Sequence, residues 1–218
     1  MTTPRLFIAN KAYSSWSMRP WLVMRHFGLP FDEEVIPLDT PTTRSAILRH
    51  SPTGKLPALA ADGLLLWESL GIVEYLADLH PGLGIWPEDR TARAMARTVS
   101  AEMHAGFTAL RRACPMNLRR PVRAIPVGDD VKADVARVEE VWASMRAGYG
   151  GGGDFLFGAF SAADAMFAPV VNRLDTYALA TRPETRAYMA AMQALPAWQD
   201  WLAGARAEPW FIPHYEAI

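Results

Sequence analysis

Cysteine is almost missing from this chain: Cys114 is the only one in 218 residues. An intrachain disulfide framework is therefore excluded, and so are CxxC redox chemistry and a cysteine-rich zinc site. Taken alone, Cys114 is expected to be a small apolar core residue rather than a nucleophile. Lysine is scarce as well, with Lys11, Lys55 and Lys132 the only three, which makes a lysine inside a motif worth noting. Neither sign of charge is in excess. The formal net charge is -1, so nothing electrostatic draws the chain to nucleic acid or to an anionic membrane, and neither is expected as a partner. Long hydrophobic runs are absent too. The apolar stretch after Arg5 is only a few residues, too short for the apolar region of a signal peptide. No later stretch approaches the roughly 20 residues that span a bilayer, and a cytoplasmic location is the expectation. His26, His50, His80, His104 and His214 are scattered without HExxH or comparable ligand spacing, so no metal is expected.

What is present is an ordinary globular composition, 50% hydrophobic and 21% charged, arranged in two unlike parts. Leu6–Ala9 suits a short buried strand. A helix is expected from about Ser17 to Phe27, with Pro20 tolerated in its first turn and Gly28 and Pro30 as stop signals. Glu34–Leu38 suits a second strand whose Pro37 argues for a sheet edge or a strand end. A short helix over Thr42–His50 follows. Leu56–Ala61 and Leu64–Trp67 flank Asp62-Gly63, a type I′ hairpin signal, and Ser69–Leu79 returns to helical spacing. The order β-α-β-α-β-β-α makes a compact α/β domain over residues 1–81. A linker rich in proline and glycine follows over 82–89. Residues 90–218 show no strand and suit an all-α helical bundle, with helices expected over Thr91–Ala113, Asp130–Ala147, Glu184–Ala194 and Ala197–Ala205. Ser161-Ala162-Ala163-Asp164 is a capping box before another helix, a folding element and not a site. Arg119, Arg120 and Arg123 are expected to form a solvated loop face.

Three features of the first domain carry chemistry in combination. Tyr13-Ser14-Ser15-Trp16-Ser17-Met18-Arg19 precedes and opens the first helix, where free N–H groups and the helix dipole favour an anion. One serine there is explained by capping alone. Ser51-Pro52-Thr53-Gly54-Lys55-Leu56-Pro57 enters the third strand. A cis Leu56-Pro57 bond would leave the Leu56 N–H and C=O free to pair with a peptide laid beside them. Trp67-Glu68-Ser69 ends the hairpin and opens the third helix, where a hydroxyl and an N–H suit a carboxylate and a glutamate suits an ammonium. Each has a plain structural explanation, as a cap or a turn.

Together these motifs resemble the cytosolic glutathione transferases, whose thioredoxin-like domain and helical C-terminal domain cover essentially the whole chain. The Ser-Ser-Trp-Ser-Met-Arg stretch is similar to the serine-type classes, tau and zeta especially. The resemblance implies that Ser14 contacts the glutathione sulfur, with Ser15 and Ser17 as alternates one loop shift away and Tyr13 ranked below them. It implies that Lys55 binds the glycine carboxylate, that the Leu56 backbone pairs with the cysteinyl unit before a cis Pro57, and that Glu68 and Ser69 hold the γ-glutamyl head. Glutathione would be the co-substrate and a small electrophile the second. Candidate walls of the electrophile site are Trp16, Met103, Phe107, Arg111 and Trp210. A homodimer and a role in detoxification come with the resemblance. Zeta enzymes carry a cysteine where this chain has Trp16, which weighs against maleylacetoacetate isomerase activity. The competing function is a non-catalytic glutathione-binding protein on the same fold.

Overall fold

A computed structural model describes residues 3–218. Strands β1 (Arg5–Ile8), β2 (Asp32–Val35), β3 (Ala58–Ala61) and β4 (Leu64–Trp67) form one sheet in the order β2-β1-β3-β4. β1 runs parallel to β2 and antiparallel to β3, which pairs with β4 in a tight hairpin. Both hairpin residues adopt the positive φ that a type I′ turn demands, 51° at Asp62 and 78° at Gly63. β2 lies at the sheet edge and stops at Val35, two residues short of Pro37, whose missing N–H could not continue a ladder.

Helix α1 (Ser15–His26) bridges β1 and β2, and Gly28 ends it with φ 66°. Every residue from Ser17 to Met24 is buried. That follows from its position: α1 packs on α3 (Ser69–Leu79) on one side and on helices of the second part on the other. α2 (Thr43–Leu48) is short and lies between β2 and β3.

The remainder is helical. The expected single helix over Thr91–Ala113 is in fact two, α4 (Arg90–Ala105) and α5 (Thr108–Ala113), broken at Gly106 and at Phe107, whose φ is 56°. Side-chain periodicity runs through this break, so only the backbone reveals it. α6 (Asp129–Tyr149), α7 (Ala162–Thr176), α8 (Pro183–Ala194), α9 (Pro196–Ala207) and a final turn, α10 (Pro213–Glu216), complete the chain. α7 is the centre of the bundle, buried at all but one of its positions. Asp164 at its start is fully buried and accepts from the Ser161 N–H (2.9 Å) and hydroxyl, the Leu156 N–H and the Tyr188 hydroxyl. Burial pushes this carboxyl up to about 6, while those donors pull the other way. One aspartate thus fixes the helix start, the preceding loop and α8.

Two elements lock the parts together. The Trp21 ring of α1 meets Trp201 of α9 edge-on at 5.1 Å. Lys11, ion-paired to Glu33 at 2.6 Å, lies 4.9 Å from the Trp21 ring centroid and 5.5 Å from that of Trp201. The loop between β1 and α1 is held largely by the helical part. The Lys11 and Ala12 N–H groups donate to the Glu208 carboxylate (2.6 and 3.1 Å), the Trp201 indole N–H donates to the Lys11 carbonyl, and the Leu118 N–H donates to that of Ala12.

Candidate active site

The opening of α1 is built from a short run of hydroxyls. Ser14 is the N-cap, 8% exposed, and its Oγ accepts from the Ser17 N–H (3.3 Å) and donates to the Ser17 Oγ (2.8 Å). Ser17 is completely buried and its Oγ also accepts from the Ala9 N–H (3.0 Å). The capping role foreseen for one serine is therefore real, and it falls to Ser14. Ser14 and Ser15 face a cleft of about 820 Å³ between the two parts of the chain, whereas Ser17 does not line it. Of the three serines given as candidates, Ser17 is the one that lies off the cleft.

Tyr13 also lines the cleft, but its hydroxyl is occupied. It donates to the Glu216 carboxylate and accepts from Arg119 (2.6 Å) and from the Ile212 N–H (3.3 Å). Burial first, then the bond to Glu216, raises its pKa above the ordinary tyrosine value. This side chain anchors the C-terminal segment. Arg119 and Arg120 do the same from the opposite bank, donating to the backbone oxygens of Glu208 and Ile218 at 2.9 Å each. The solvated basic face expected at these two arginines is corrected accordingly; Arg123 alone of the three is exposed.

The remaining motif residues gather on the same cleft in part. Lys55 and Leu56 line it, Lys55 exposed, and the Leu56-Pro57 bond is cis. Glu68 lines it from the junction of β4 and α3, held at φ 71°, a conformation that costs a non-glycine residue roughly 1–3 kcal/mol. Its carboxylate lies 3.0 Å from His104 Nε2. Burial holds the His104 imidazole below its usual pKa, against the pull of Glu68 and helped by Arg19 and Arg111. Among the described residues its Nδ1 is buried without a partner, which fits a proton on Nε2 donated to Glu68. Ser69, at the start of α3, is 1% exposed with an Oγ that has no partner among the described residues. Pro57 and Ser69 do not themselves line the cleft.

Of the five candidate walls of the electrophile site, Trp16 and Arg111 line the cleft. Met103 and Phe107 belong to the core, at 0% and 6% exposure. Met103 lies in α4, which packs on α7, and Phe107 is buried just beyond the break. Trp210 is half-buried outside the cleft. Sequence reasoning missed Arg112 and Arg173, which line the cleft, along with His214, Tyr215 and Ile218 of the C-terminal segment. Arg173 had no local signal. It interrupts an apolar helix, and only the tertiary fold turns it toward α5. Cys114 is fully buried, with burial raising its thiol pKa, so it is no nucleophile.

The model of the glutathione S-transferase N-terminal domain matches residues 13–79, and that of the C-terminal domain matches residues 118–204. Among curated proteins, the chain is similar to a probable maleylacetoacetate isomerase of Caenorhabditis elegans. The two are 29% identical over 107 residues, 49% of each chain, so the match spans about half the length of that relative. It is also similar to glutathione S-transferase omega-2 of Mus musculus, 26% identical over 195 residues, 87% of this chain and 75% of that one. A solved glutathione transferase homolog from Burkholderia, crystallised with bound glutathione, shares the fold. It has a TM-score of 0.71 at 24% identity and is covered over 100% of its length by 95% of this chain. With both domain models in sequence order on the thioredoxin-like and helical halves just described, the chain belongs to the glutathione S-transferase family.

Proposed function

We propose that this chain is a glutathione transferase in which Ser14 and the opening of α1 stabilise the glutathione thiolate for attack on a small electrophile. The observation that carries this reading is the convergence of Ser14, Lys55, Leu56 and Glu68 on one cleft. The tripeptide fits the groups present. Lys55 suits the glycine carboxylate, the Leu56 backbone suits the cysteinyl unit, and Glu68 with the start of α3 at Ser69 suits the γ-glutamyl head.

A thiol of pKa about 8.5 is only slightly ionised at neutral pH, and the thiolate is the nucleophile. A serine hydroxyl is too weak a base to take the proton, which therefore leaves to solvent. Ser14 acts as a donor: its hydroxyl turns from Ser17 to the sulfur, and the first-turn N–H groups of α1 add their dipole. Ser15, which also faces the cleft, is the alternate. The electrophile takes the part of the cleft walled by Trp16 and Arg111. Calorimetry with glutathione, beside conjugation of a neutral aryl chloride, tests the proposal. Micromolar-to-millimolar binding with turnover supports it, and no binding at all ends it. Binding without turnover would favour the non-catalytic reading. Isomerisation of a maleyl substrate would favour the activity named for the Caenorhabditis elegans relative.

The homodimer is supported by an uncovered apolar edge. β4 is the outer strand of the sheet, and its Leu64, Leu65 and Trp67 are exposed, as is Leu79 of α3. Such an edge is a liability unless another surface covers it, and a second copy of the chain is the occupant the resemblance implies.

A further inference from the structure

The cleft is more cationic than the chain that forms it. The whole molecule carries a formal charge of -1. Yet Lys55, Arg111, Arg112 and Arg173 line the cleft against a single acidic side chain, Glu68. Three arginines of this region are far from solvent or have no ion-pair partner among the described residues. Arg173, on α7, is 5% exposed and donates only to carbonyls, from Nε to Cys114 (2.9 Å) and from Nη1 to Pro169 (3.3 Å). Arg111, on α5, likewise donates to the carbonyls of His104 and Gly106, and its guanidinium lies 4.8 Å from the Trp16 ring centroid. Arg19, on α1, is 1% exposed and lies 4.1 Å from the same ring. Neither its Nε nor its Nη1 has a hydrogen-bond partner among the described residues.

Arginines this buried are normally matched by carboxylates, because an uncompensated buried charge is strongly destabilising. Here they repel one another instead. Burial, then Arg173 and Arg111, lower the Arg19 pKa to about 9, with Glu68 the one acid opposing them. Burial and then Arg111 bring Arg173 to about 10. Both stay charged at pH 7. Carbonyls satisfy N–H groups but cancel no charge, and among the described residues no carboxylate is ion-paired with Arg19, Arg111 or Arg173, so the cluster calls for an anion. Glutathione does not meet that need on the reading above, since its two carboxylates are assigned to Lys55 and to the Glu68–Ser69 corner.

From this geometry we propose that the electrophile this chain conjugates bears a carboxylate, docked on Arg111 and Arg173 with Arg19 reinforcing their field beside the Trp16 ring. The inference rests on the transferase reading and names its substrate class. The forked guanidinium donors suit a planar carboxylate, and Trp16 gives the apolar body of the substrate a face to lie on. An α,β-unsaturated acid illustrates the step. The thiolate sulfur bonds to the β-carbon, the π pair shifts to the α-carbon, and that carbon takes a proton from water. No oxidant or reductant is consumed.

Product-like ligands test this without needing turnover. Calorimetry on the full chain would compare glutathione, S-pentylglutathione and S-carboxybutylglutathione, the last two of equal carbon count and differing in the terminal carboxylate. The expected result is at least about tenfold tighter binding of the carboxylated ligand at low salt. That preference should shrink with rising salt and be lost in Arg111→Gln, while Arg111→Lys restores part of it. Arg173→Gln should act in the same direction; since Arg173 also ties α7 to the Cys114 carbonyl, Arg111 is the deciding position. Equal or weaker binding of the carboxylated ligand, with glutathione and its pentyl derivative both bound, would overturn the anion proposal alone. Failure of all three ligands to bind would overturn the transferase reading beneath it.

Discussion

Replacing Ser14 by alanine removes one hydroxyl from the mouth of α1, and the structure sets the size of the effect. A hydrogen bond from serine to a thiolate is charge-assisted and contributes about 1.5–3 kcal/mol. Ser14, however, already donates to Ser17 at 2.8 Å, and turning toward sulfur forfeits a neutral bond of about 0.5–1.5 kcal/mol. The net preference for thiolate is then about 1–1.5 kcal/mol, which is roughly one pKa unit. The helix terminus, about 0.3–1 kcal/mol, survives the substitution. Ser14→Ala should therefore raise the pKa of bound glutathione by about one unit and lower the rate at neutral pH by up to about tenfold. Ultraviolet titration of the thiolate in the loaded protein reads the shift directly. Ser15→Ala is the comparison, expected to move the value by only a few tenths. Ser17→Ala should chiefly cost stability, because it orphans the Ala9 N–H. A bound thiol whose pKa is unchanged in Ser14→Ala would refute the argument, and a full shift in Ser15→Ala would transfer the role.

Asp164→Ala leaves the Leu156 and Ser161 N–H groups and the Tyr188 hydroxyl without their acceptor. It should cost about 3 kcal/mol or more in denaturant unfolding, and a loss below about 1 kcal/mol would contradict the role given to that carboxylate. His104 is held below its unfolded value of 6.5, by burial first. The unfolded chain then binds a proton that the native protein refuses, so stability should fall as pH drops below about 6.5; His104→Gln should flatten that slope in urea titrations at pH 5 to 7, and a slope that the variant leaves intact would count against it. Leu65→Asp puts a charge on the bare edge of β4, and sedimentation should show monomers where the parent chain forms dimers; a monomeric parent would remove the homodimer proposal.

The architecture was legible because its punctuation is local. Asp62-Gly63, Gly28, Pro37 and the Ser161–Asp164 box each specify a backbone geometry without help from distant residues, and the element order follows them; the second strand, expected over Glu34–Leu38, is corrected to Asp32–Val35, because it ends before Pro37 and does not run through it. The helix break at Phe107 was not legible, since Met103 and Phe107 keep a helical apolar spacing right across it. The site was half legible. Ser14, Lys55, Leu56 and Glu68 sit in short motifs at strand and helix junctions, and they share the cleft. The electrophile walls were harder, because a methionine or a phenylalanine carries the same sequence signal in a core as in a cavity. Arg173 and Arg19 differ again. Their importance lies in what they are not paired with, and a missing counter-ion has no sequence signature.

The tether between Glu208 and the Lys11–Ala12 backbone has a consequence for how such a protein can diversify. Ser14 belongs to the first domain, yet the loop before it is held by a residue of the helical half. Exchanging the helical half for that of another member would reposition Ser14 along with the cleft. The two would then change together and not one at a time.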